Sequence, residues 1–262
     1  NIGEQLLMIT NYDAPNQRLV STKYDNNDPS KWIQIVAEKE DVLQGVSMVS
    51  DLLLVRYIKD ASSKAYFHKP DGTFVREFKL PGIGTLSGFN GEKGNSTAFY
   101  GFTSFTFPSS VYKYDITNDI SELMHTSDVD FHSEEYVTEQ IFYDSKDGTK
   151  VPMFVVHKKG IKLDGNNPVL LYGYGGFNIS LTPSFSISRL PFLEQGGIFV
   201  MANLRGGGEY GEKWHKAGTL MQKQNVFDDF IHAAKYLINK KYTSPDKLAI
   251  IGGSNGGLLV GA

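Results

Sequence analysis

The first half of the chain alternates short apolar runs with clusters of turn-forming residues. The apolar runs come in pairs, and each pair recurs at spacings of 47 and then 46 residues. The first members of the pairs are centred on Leu7, Leu54 and Tyr100, and the second members on Leu19, Tyr66 and Tyr112. Turn signals at residues 26–29, 70–72 and 115–118 lie where such strands must reverse. The pattern therefore predicts a repeated unit built from several short strands.

A repeat of this length favours the blades of a β-propeller. A single blade cannot bury both of its faces, so it must stack against its neighbours. About three such blades fit into the first 131 residues. A β-sandwich is the alternative that this pattern leaves open.

The second half of the chain has a different pattern of apolar and polar residues. A long hairpin is predicted from residues 136–143 and 150–157, followed by apolar strands at 169–172, 198–202 and 248–251, each expected to be buried in a sheet covered on both faces. A helix is predicted over 226–239. Its expected core face consists of Phe227, Phe230, Ile231, Ala234, Leu237 and Ile238, and its expected polar face of Asp228, Asp229, His232 and Lys235. Strands that alternate with helices indicate an α/β unit.

The strand at 248–251 runs directly into the sequence Gly-Gly-Ser-Asn-Gly-Gly at residues 252–257. A G-x-S-x-G motif between a strand and a helix is typical of the nucleophile elbow, a sharp turn that exposes a serine hydroxyl above the sheet. Ser254 is therefore the candidate nucleophile, and an ordinary glycine-rich turn serine is the alternative. Such a serine needs a histidine base oriented by a carboxylate, and in this fold both follow the serine. We expect them beyond Ala262, since none of the six histidines here is well positioned for the role.

A second glycine-rich turn, Tyr-Gly-Tyr-Gly-Gly-Phe-Asn at residues 172–178, follows an earlier strand. In α/β-hydrolases a loop of this kind supplies part of the oxyanion hole, beside the backbone N–H of the residue after the nucleophile, here Asn255. The hydroxyl of Tyr174 is a candidate for the second donor, and simple packing of Tyr174 is the alternative. A third cluster around Arg205, residues 203–211, lacks the features of a phosphate or dinucleotide loop. We expect it to be a tight structural loop, in which Arg205 pairs with an acidic partner that the sequence does not identify.

Composition narrows the classes of function. The net charge of −3 and the absence of a basic run argue against nucleic-acid binding, and no apolar stretch is long enough for a membrane span. The chain contains no cysteine, which excludes disulfides and thiolate metal sites. We predict no cofactor and no metal, and we expect a monomer. A cytoplasmic location is expected, with the periplasm and secretion as alternatives, because a cysteine-free protein folds in either redox environment.

The three glycine-rich motifs together resemble the prolyl oligopeptidase family of serine peptidases. The resemblance covers the whole chain and includes Asp229, which belongs to the family's signature around the serine. It implies as fold class a partial α/β-hydrolase domain, its first half, plus a partial β-propeller, about the last three of the family's seven blades. The implied domains are C-terminal propeller blades over 1–130 and the first half of the catalytic domain over 131–262. A chain that starts at Asn1 without Met and stops just after the elbow is expected to be a segment of a longer protein.

The resemblance also implies an activity. It predicts a serine endopeptidase that cleaves short proline-containing peptides after proline through an acyl-enzyme, with the propeller gating access. Ser254 matches the nucleophile, Tyr174 the oxyanion hydroxyl, Asn255 the backbone oxyanion donor and Phe177 an aromatic of the proline pocket. Without the Asp and His, the segment alone is predicted to be inactive. Alternatives are a related oligopeptidase that cleaves after basic residues, an acylpeptide hydrolase, or an inactive propeller scaffold.

Overall fold

The computed structural model describes residues 5–26 and 28–262. Residues 1–4 of the predicted propeller span and Asn27 of the predicted turn at 26–29 lie outside the described residues. The chain divides into two compact units. One extends to Thr103 and includes Ser109–Ser127, and the other consists of Ser104–Pro108 and Asp128–Ala262.

The first unit consists of three antiparallel sheets, of three, four and four strands. The strands are β1 (Gln5–Thr10), β2 (Arg18–Lys23), β3 (Ile33–Val36), β4 (Val42–Val49), β5 (Leu52–Lys59), β6 (Ser62–His68), β7 (Phe74–Phe78), β8 (Thr85–Gly91), β9 (Thr97–Thr103), β10 (Ser110–Asp115) and β11 (Ile120–Thr126). A single 3-10 turn, Pro29–Lys31, is assigned among the described residues of this unit. Within each sheet, strands that follow one another along the chain are hydrogen-bonded neighbours.

The sequence repeat corresponds to these sheets. Its paired runs fall on β1 and β2, on β5 and β6, and on β9 and β10, which are neighbouring antiparallel strands in their sheets. Aromatic side chains fill the space between strands of the second and third sheets, where the ring centroids of Phe78 and Phe89 are 5.0 Å apart and those of Phe78 and Tyr114 5.1 Å apart. All three rings are buried. The prediction of a repeated unit built from several short strands is confirmed.

The second unit is built around one mixed five-stranded sheet. Its strands are β12 (Tyr136–Asp144), β13 (Lys150–Lys158), β14 (Val169–Gly173), β15 (Ile198–Ala202) and β16 (Leu248–Ile251), and its helices are α1 (Leu190–Glu194), α2 (Gly211–Lys216), α3 (Gln224–Asn239) and α4 (Asn255–Gly261). Short 3-10 turns cover Ser133–Glu135, Ile187–Arg189, Leu220–Gln222 and Pro245–Lys247. The strand order is β12-β13-β15-β14-β16, in which β14 is parallel to both of its neighbours and the remaining pairs are antiparallel. None of the helices formed by the described residues has the length and apolar character that a membrane crossing requires.

The fold class predicted above named the α/β-hydrolase part first and the β-propeller second, and this order is wrong. The antiparallel sheets occupy the described residues as far as Thr126, and the mixed sheet with its helices begins only at Tyr136. The reason is the position of the strongest motif. The elbow at Ser254 follows β16, so the elements around it come last in the chain.

One of the predicted buried strands is largely exposed. β15 is buried along its whole length, but Ala249, Ile250 and Ile251 of β16 are exposed. The reason is topological, since among the described strands β16 pairs with β14 alone and forms the edge of the sheet. An apolar run does not reveal whether its strand is central or at an edge.

The buried face of α3 also differs from the predicted stripe. Phe230 and Leu237 are buried as expected, but Ile231 is exposed, and Asp229, predicted to face solvent, is completely buried. The face is rotated because the carboxylate of Asp229 has a cationic partner inside the unit. That partner is Arg205, whose acidic counterpart the sequence did not identify.

Arg205 and Asp229 form the centre of a buried polar cluster. The guanidinium donates to the Asp229 carboxylate from Nη2 at 2.6 Å and from Nε at 3.0 Å and 3.1 Å, and the Arg205 backbone N–H donates to Oδ2 at 3.1 Å. The other side of the guanidinium donates to Asp147 at 2.5 Å, in the turn between β12 and β13. This hydrogen bond holds the pKa of the Asp147 carboxyl well below its usual range. Ser145 donates to Asp229 at 2.5 Å, so the cluster ties the hairpin turn, the loop after β15 and α3 to one another.

This cluster gives a test of what holds the second unit together. Replacing Asp229 with Asn removes a negative charge that helps to neutralise the buried Arg205 guanidinium. We therefore expect a loss of about 3–5 kcal/mol in the free energy of unfolding. Asp228→Asn is the matched control, because Asp228 pairs with the exposed Lys146 at 3.4 Å and should change the free energy by less than about 1 kcal/mol. Urea unfolding measures both variants, and equal effects would contradict the assignment.

Candidate active site

Ser254 lies in the turn between β16 and α4, in a backbone conformation that residues other than glycine rarely adopt. Its backbone has φ 55° and ψ −117°, and the residue is exposed. Residues held in this region cost on the order of 1–3 kcal/mol and persist only where the surroundings enforce them. The turn is closed by the N–H of Gly257, which donates to the Ser254 carbonyl at 2.8 Å. This geometry agrees with the strand, turn and helix predicted for a nucleophile elbow.

The two glycines of the motif permit the tight approach of backbone segments. A Cβ at Gly256 would lie 2.6 Å from the carbonyl oxygen of Gly173 at the end of β14, and a Cβ at Gly252 would lie 2.2 Å from the Gly256 oxygen. A Cβ at Gly253, in contrast, would meet no heavy atom within 4 Å. The sequence requirement is therefore steric at the first and last positions of G-x-S-x-G and absent at the position before the serine.

Tyr174 begins the loop that leaves β14 and is half-buried. The loop lies against Asn255, the residue after Ser254, since the Asn255 Nδ2 donates to the Tyr174 carbonyl oxygen at 2.5 Å. A Cβ at Gly176 would lie 2.6 Å from the same Nδ2. The structure thus brings Tyr174 and Asn255 together, although 81 residues separate them in sequence.

Phe177 follows in the same loop with a side chain that is 74% exposed. Both Phe177 and Asn178 have positive φ, 54° and 57°, which turns the chain sharply. The turn is held by the loop after β15, where the Gly206 carbonyl accepts from the Asn178 N–H at 3.1 Å. An exposed phenyl ring on a fixed backbone is available for packing against a ligand.

A buried carboxyl, that of Glu209, secures the chain just beyond this turn. Its Oε1 accepts from the Leu181 N–H at 2.8 Å and from the Asn203 Nδ2 at 3.2 Å. The second oxygen, Oε2, is buried with no hydrogen-bond partner among the described residues. Burial, partly offset by these hydrogen bonds, raises the pKa of Glu209 to about 7.

Two residues near the site were missed by the sequence interpretation. Glu209 was counted only as part of a glycine cluster, and Lys223, just before α3, was not considered. Lys223 donates to the Gly175 carbonyl at 2.8 Å and to the Asn255 Oδ1 at 3.3 Å. No motif marks either residue, because the roles of both depend on loops that meet only in the folded unit.

The fold and the elbow define the chain by class: a repeated antiparallel β unit followed by an α/β unit of the hydrolase type. Comparison with protein families assigns both. A model described as "Prolyl oligopeptidase, N-terminal beta-propeller domain" matches residues 1–127, and one described as "Prolyl oligopeptidase family" matches residues 183–262. The chain belongs to the prolyl oligopeptidase family. The first match also overturns the order in the fold-class prediction, since the propeller comes first. The prediction that residues 1–130 are C-terminal blades and residues 131–262 the first half of a hydrolase domain stays a prediction.

Individual relatives agree with this assignment. The chain is 48% identical over 260 residues to a prolyl endopeptidase of Elizabethkingia meningoseptica and 42% identical over 271 residues to one of Dictyostelium discoideum. These alignments cover 99% and 98% of this chain but only 37% and 36% of the relatives. The chain therefore spans little more than a third of the length of the curated relatives that it matches.

Solved structures give the same result. A structure from a study of two prolyl endopeptidases superposes with a TM-score of 0.95 at 49% identity, covering all of this chain and 39% of that one. Prolyl oligopeptidase B of Galerina marginata, bound to a 35-residue hydrolysis and macrocyclization substrate, superposes with a TM-score of 0.92 at 34% identity, covering 99% of this chain and 37% of that one.

The steric environments of Gly253 and Gly256 in the elbow predict different outcomes of substitution by alanine. Gly256→Ala forces a methyl group against the Gly173 carbonyl, so the free energy of unfolding should fall by about 1–3 kcal/mol. Gly253→Ala adds the same methyl group in open space and should change it by less than about 0.5 kcal/mol. Urea unfolding of both variants measures the difference, and an equal loss would contradict the close approach described above.

The Glu209 carboxyl predicts a pH-dependent stability. Its pKa is raised in the folded state, to about 7, so the folded state holds the proton more tightly than the unfolded state. The contribution of Glu209 to the free energy of unfolding is complete below about pH 4.5 and is lost as pH rises through about 7. We therefore expect the free energy of unfolding of wild type to fall between pH 5 and pH 8 by on the order of 3 kcal/mol more than that of Glu209→Gln, whose amide does not titrate. Urea unfolding at the two pH values measures this difference.

The matched control for this measurement is Glu194→Gln, since Glu194 is exposed on α1 of the same unit. We expect its pH dependence to follow that of wild type. If Glu209→Gln also follows wild type, the carboxyl is not the group that titrates, and the account of its burial is wrong.

Proposed function

We propose that the protein containing this chain is a serine endopeptidase that cleaves short peptides on the carboxyl side of proline. The observation that carries this proposal is the pairing of an exposed Ser254 in a left-handed elbow with the Tyr174 loop, joined through the Asn255 amide. Membership of the prolyl oligopeptidase family supports it. The relatives named prolyl endopeptidase support the choice of proline within that family.

In the proposed reaction the Ser254 oxygen attacks the carbonyl carbon of the peptide bond that follows proline. A general base takes the serine proton, and the carbonyl π electrons move to oxygen to form a tetrahedral oxyanion. When the carbonyl forms again, the C–N bond breaks and the amine leaves with that proton. The proline carbonyl is then held on Ser254 as an ester, which water hydrolyses by the same steps. The base and its carboxylate are expected, from the order of triad residues in this fold, to follow the serine in sequence.

Two donors are proposed to stabilise the oxyanion. The N–H groups in the first turn of a helix have no acceptor within the helix, so the Asn255 N–H at the start of α4 is available for this role. The Tyr174 hydroxyl is the second donor. Removing one such donor typically costs about 10²–10³ in rate.

Selection of proline is assigned to Phe177. A proline ring has no N–H to recognise and a fixed shape, so discrimination must come from packing against apolar surfaces. The phenyl ring of Phe177 is exposed, and it lies in a turn of positive φ whose Asn178 N–H donates to the Gly206 carbonyl. These observations support the role.

The proposal is tested in a full-length protein, meaning one that carries residues 1–262 together with the further sequence that the relatives have. A fluorophosphonate should label wild type, and peptide mapping should locate the label on Ser254. Ser254→Ala should lose the label, because it lacks the nucleophilic oxygen, while Ser188→Ala, in an exposed 3-10 turn of the same unit, should keep it. Labelling that persists in Ser254→Ala would contradict the assignment.

Substrate class is measured on the same protein with a mixed peptide library. We expect cleavage after proline, and Phe177→Ala should lose most of that preference while its labelling at Ser254 continues. Cleavage after lysine or arginine would favour an oligopeptidase of basic specificity, and release of acylated N-terminal residues would favour an acylpeptide hydrolase. Labelling without any cleavage would favour neither the oligopeptidase of basic specificity nor the acylpeptide hydrolase. The absence of labelling would favour an inactive scaffold.

A further inference from the structure

Lys223 joins the two segments that carry the proposed oxyanion donors. It lies immediately before α3, and its ammonium donates to the Gly175 carbonyl at 2.8 Å and to the Asn255 Oδ1 at 3.3 Å. Gly175 adjoins Tyr174 in the loop after β14, and Asn255 adjoins Ser254 in the elbow. One side chain from a third segment therefore contacts both.

The second link between these segments is the Asn255 amide, and Lys223 contributes to its orientation. Asn255 Nδ2 donates to the Tyr174 carbonyl. An amide offers an acceptor on one side and donors on the other, so an ammonium beside Oδ1 favours the orientation that directs Nδ2 towards Tyr174. Without Lys223 the Asn255 Oδ1 would lose this donor, and only the Tyr174 carbonyl would favour that orientation of the amide.

The surroundings leave Lys223 without another electrostatic role. The ion pairs formed between the described residues do not include it. The residue is half-buried, and this burial lowers the pKa of its ammonium. Keeping an ammonium partly out of water costs free energy unless hydrogen bonds compensate for it, and the bonds that do so here go to the Gly175 carbonyl and the Asn255 amide.

We propose that Lys223 is a positioning residue for the oxyanion hole, which aligns the Tyr174 loop with the backbone N–H of Asn255 through its hydrogen bonds to Gly175 and Asn255. This inference rests on the proposed function. Oxyanion donors act only when they are held within about half an ångström of the productive geometry. The loop has glycine at 175 and 176, so it has few side chains of its own to hold it.

The test uses the full-length protein with Lys223→Met, and a proline-containing peptide substrate. We expect kcat to fall about tenfold to hundredfold with KM changed less than about threefold, since alignment matters mainly in the transition state. A peptide aldehyde ending in prolinal, whose hemiacetal oxygen occupies the oxyanion hole, should bind weaker by the same factor as the loss in kcat. Lys223→Arg, which retains the cation and its donors, should recover most of the loss.

A double-mutant cycle separates positioning from general destabilisation. If Lys223 acts through Tyr174, Lys223→Met should cost less than about threefold in a Tyr174→Phe background. Lys235→Met, on an exposed position of α3, is the matched control and should leave kcat unchanged. Thermal unfolding checks that each variant is folded, and Lys223→Gln replaces the methionine variant in the same measurements if that variant unfolds.

The outcomes distinguish this inference from the proposed function. A wild-type protein that is not labelled at Ser254 or does not cleave after proline overturns the proposed function. A wild-type protein that does both, with an unchanged kcat in Lys223→Met, overturns the role of Lys223 alone. An equal loss with and without the Tyr174 hydroxyl, or a rise in KM with kcat retained, also overturns it.

Discussion

The contact on which the second unit depends is the buried ion pair of Arg205 with Asp229. A charge in the interior is tolerated only when its partners satisfy nearly all of its hydrogen bonds. Here the guanidinium bonds to two carboxylates and two hydroxyls, and these come from α3 and from the turn between β12 and β13. The pair therefore determines where the loop after β15 runs, and that loop in turn carries the groups that hold the Phe177 turn.

The candidate site is a set of strained loops on a rigid support. Ser254, Phe177 and Asn178 all have positive φ, and the Asn178 N–H donates to the Gly206 carbonyl of another loop. Strain of this kind persists only where surrounding structure over-determines the conformation. The packing of Leu259 from α4 in the same core as Leu204 and Phe230 supplies that support, and the Asn255 and Lys223 side chains add polar links at the surface of the site.

Polar groups with unusual environments are concentrated around these loops. Glu209 is a buried carboxyl with one oxygen unpartnered, and Lys223 is a half-buried cation bonded to a carbonyl and an amide. Both contact the loops that bear Tyr174 or follow Phe177, and neither belongs to the proposed nucleophilic machinery. The chemistry assigned to Ser254 thus depends on residues whose own function is to fix backbone segments that are distant in sequence.

Much of this architecture was predictable from local pattern. The 46- and 47-residue repeat, the hairpin and the strand, turn and helix around Ser254 all follow from periodicity and from glycine, which act over short distances along the chain. The pairing of Arg205 with Asp229, the exposure of β16, and the contacts of Glu209 and Lys223 did not follow, because each depends on which segments meet after folding. A buried carboxylate and a surface carboxylate look alike in sequence, and only the tertiary structure supplies the partner that distinguishes them.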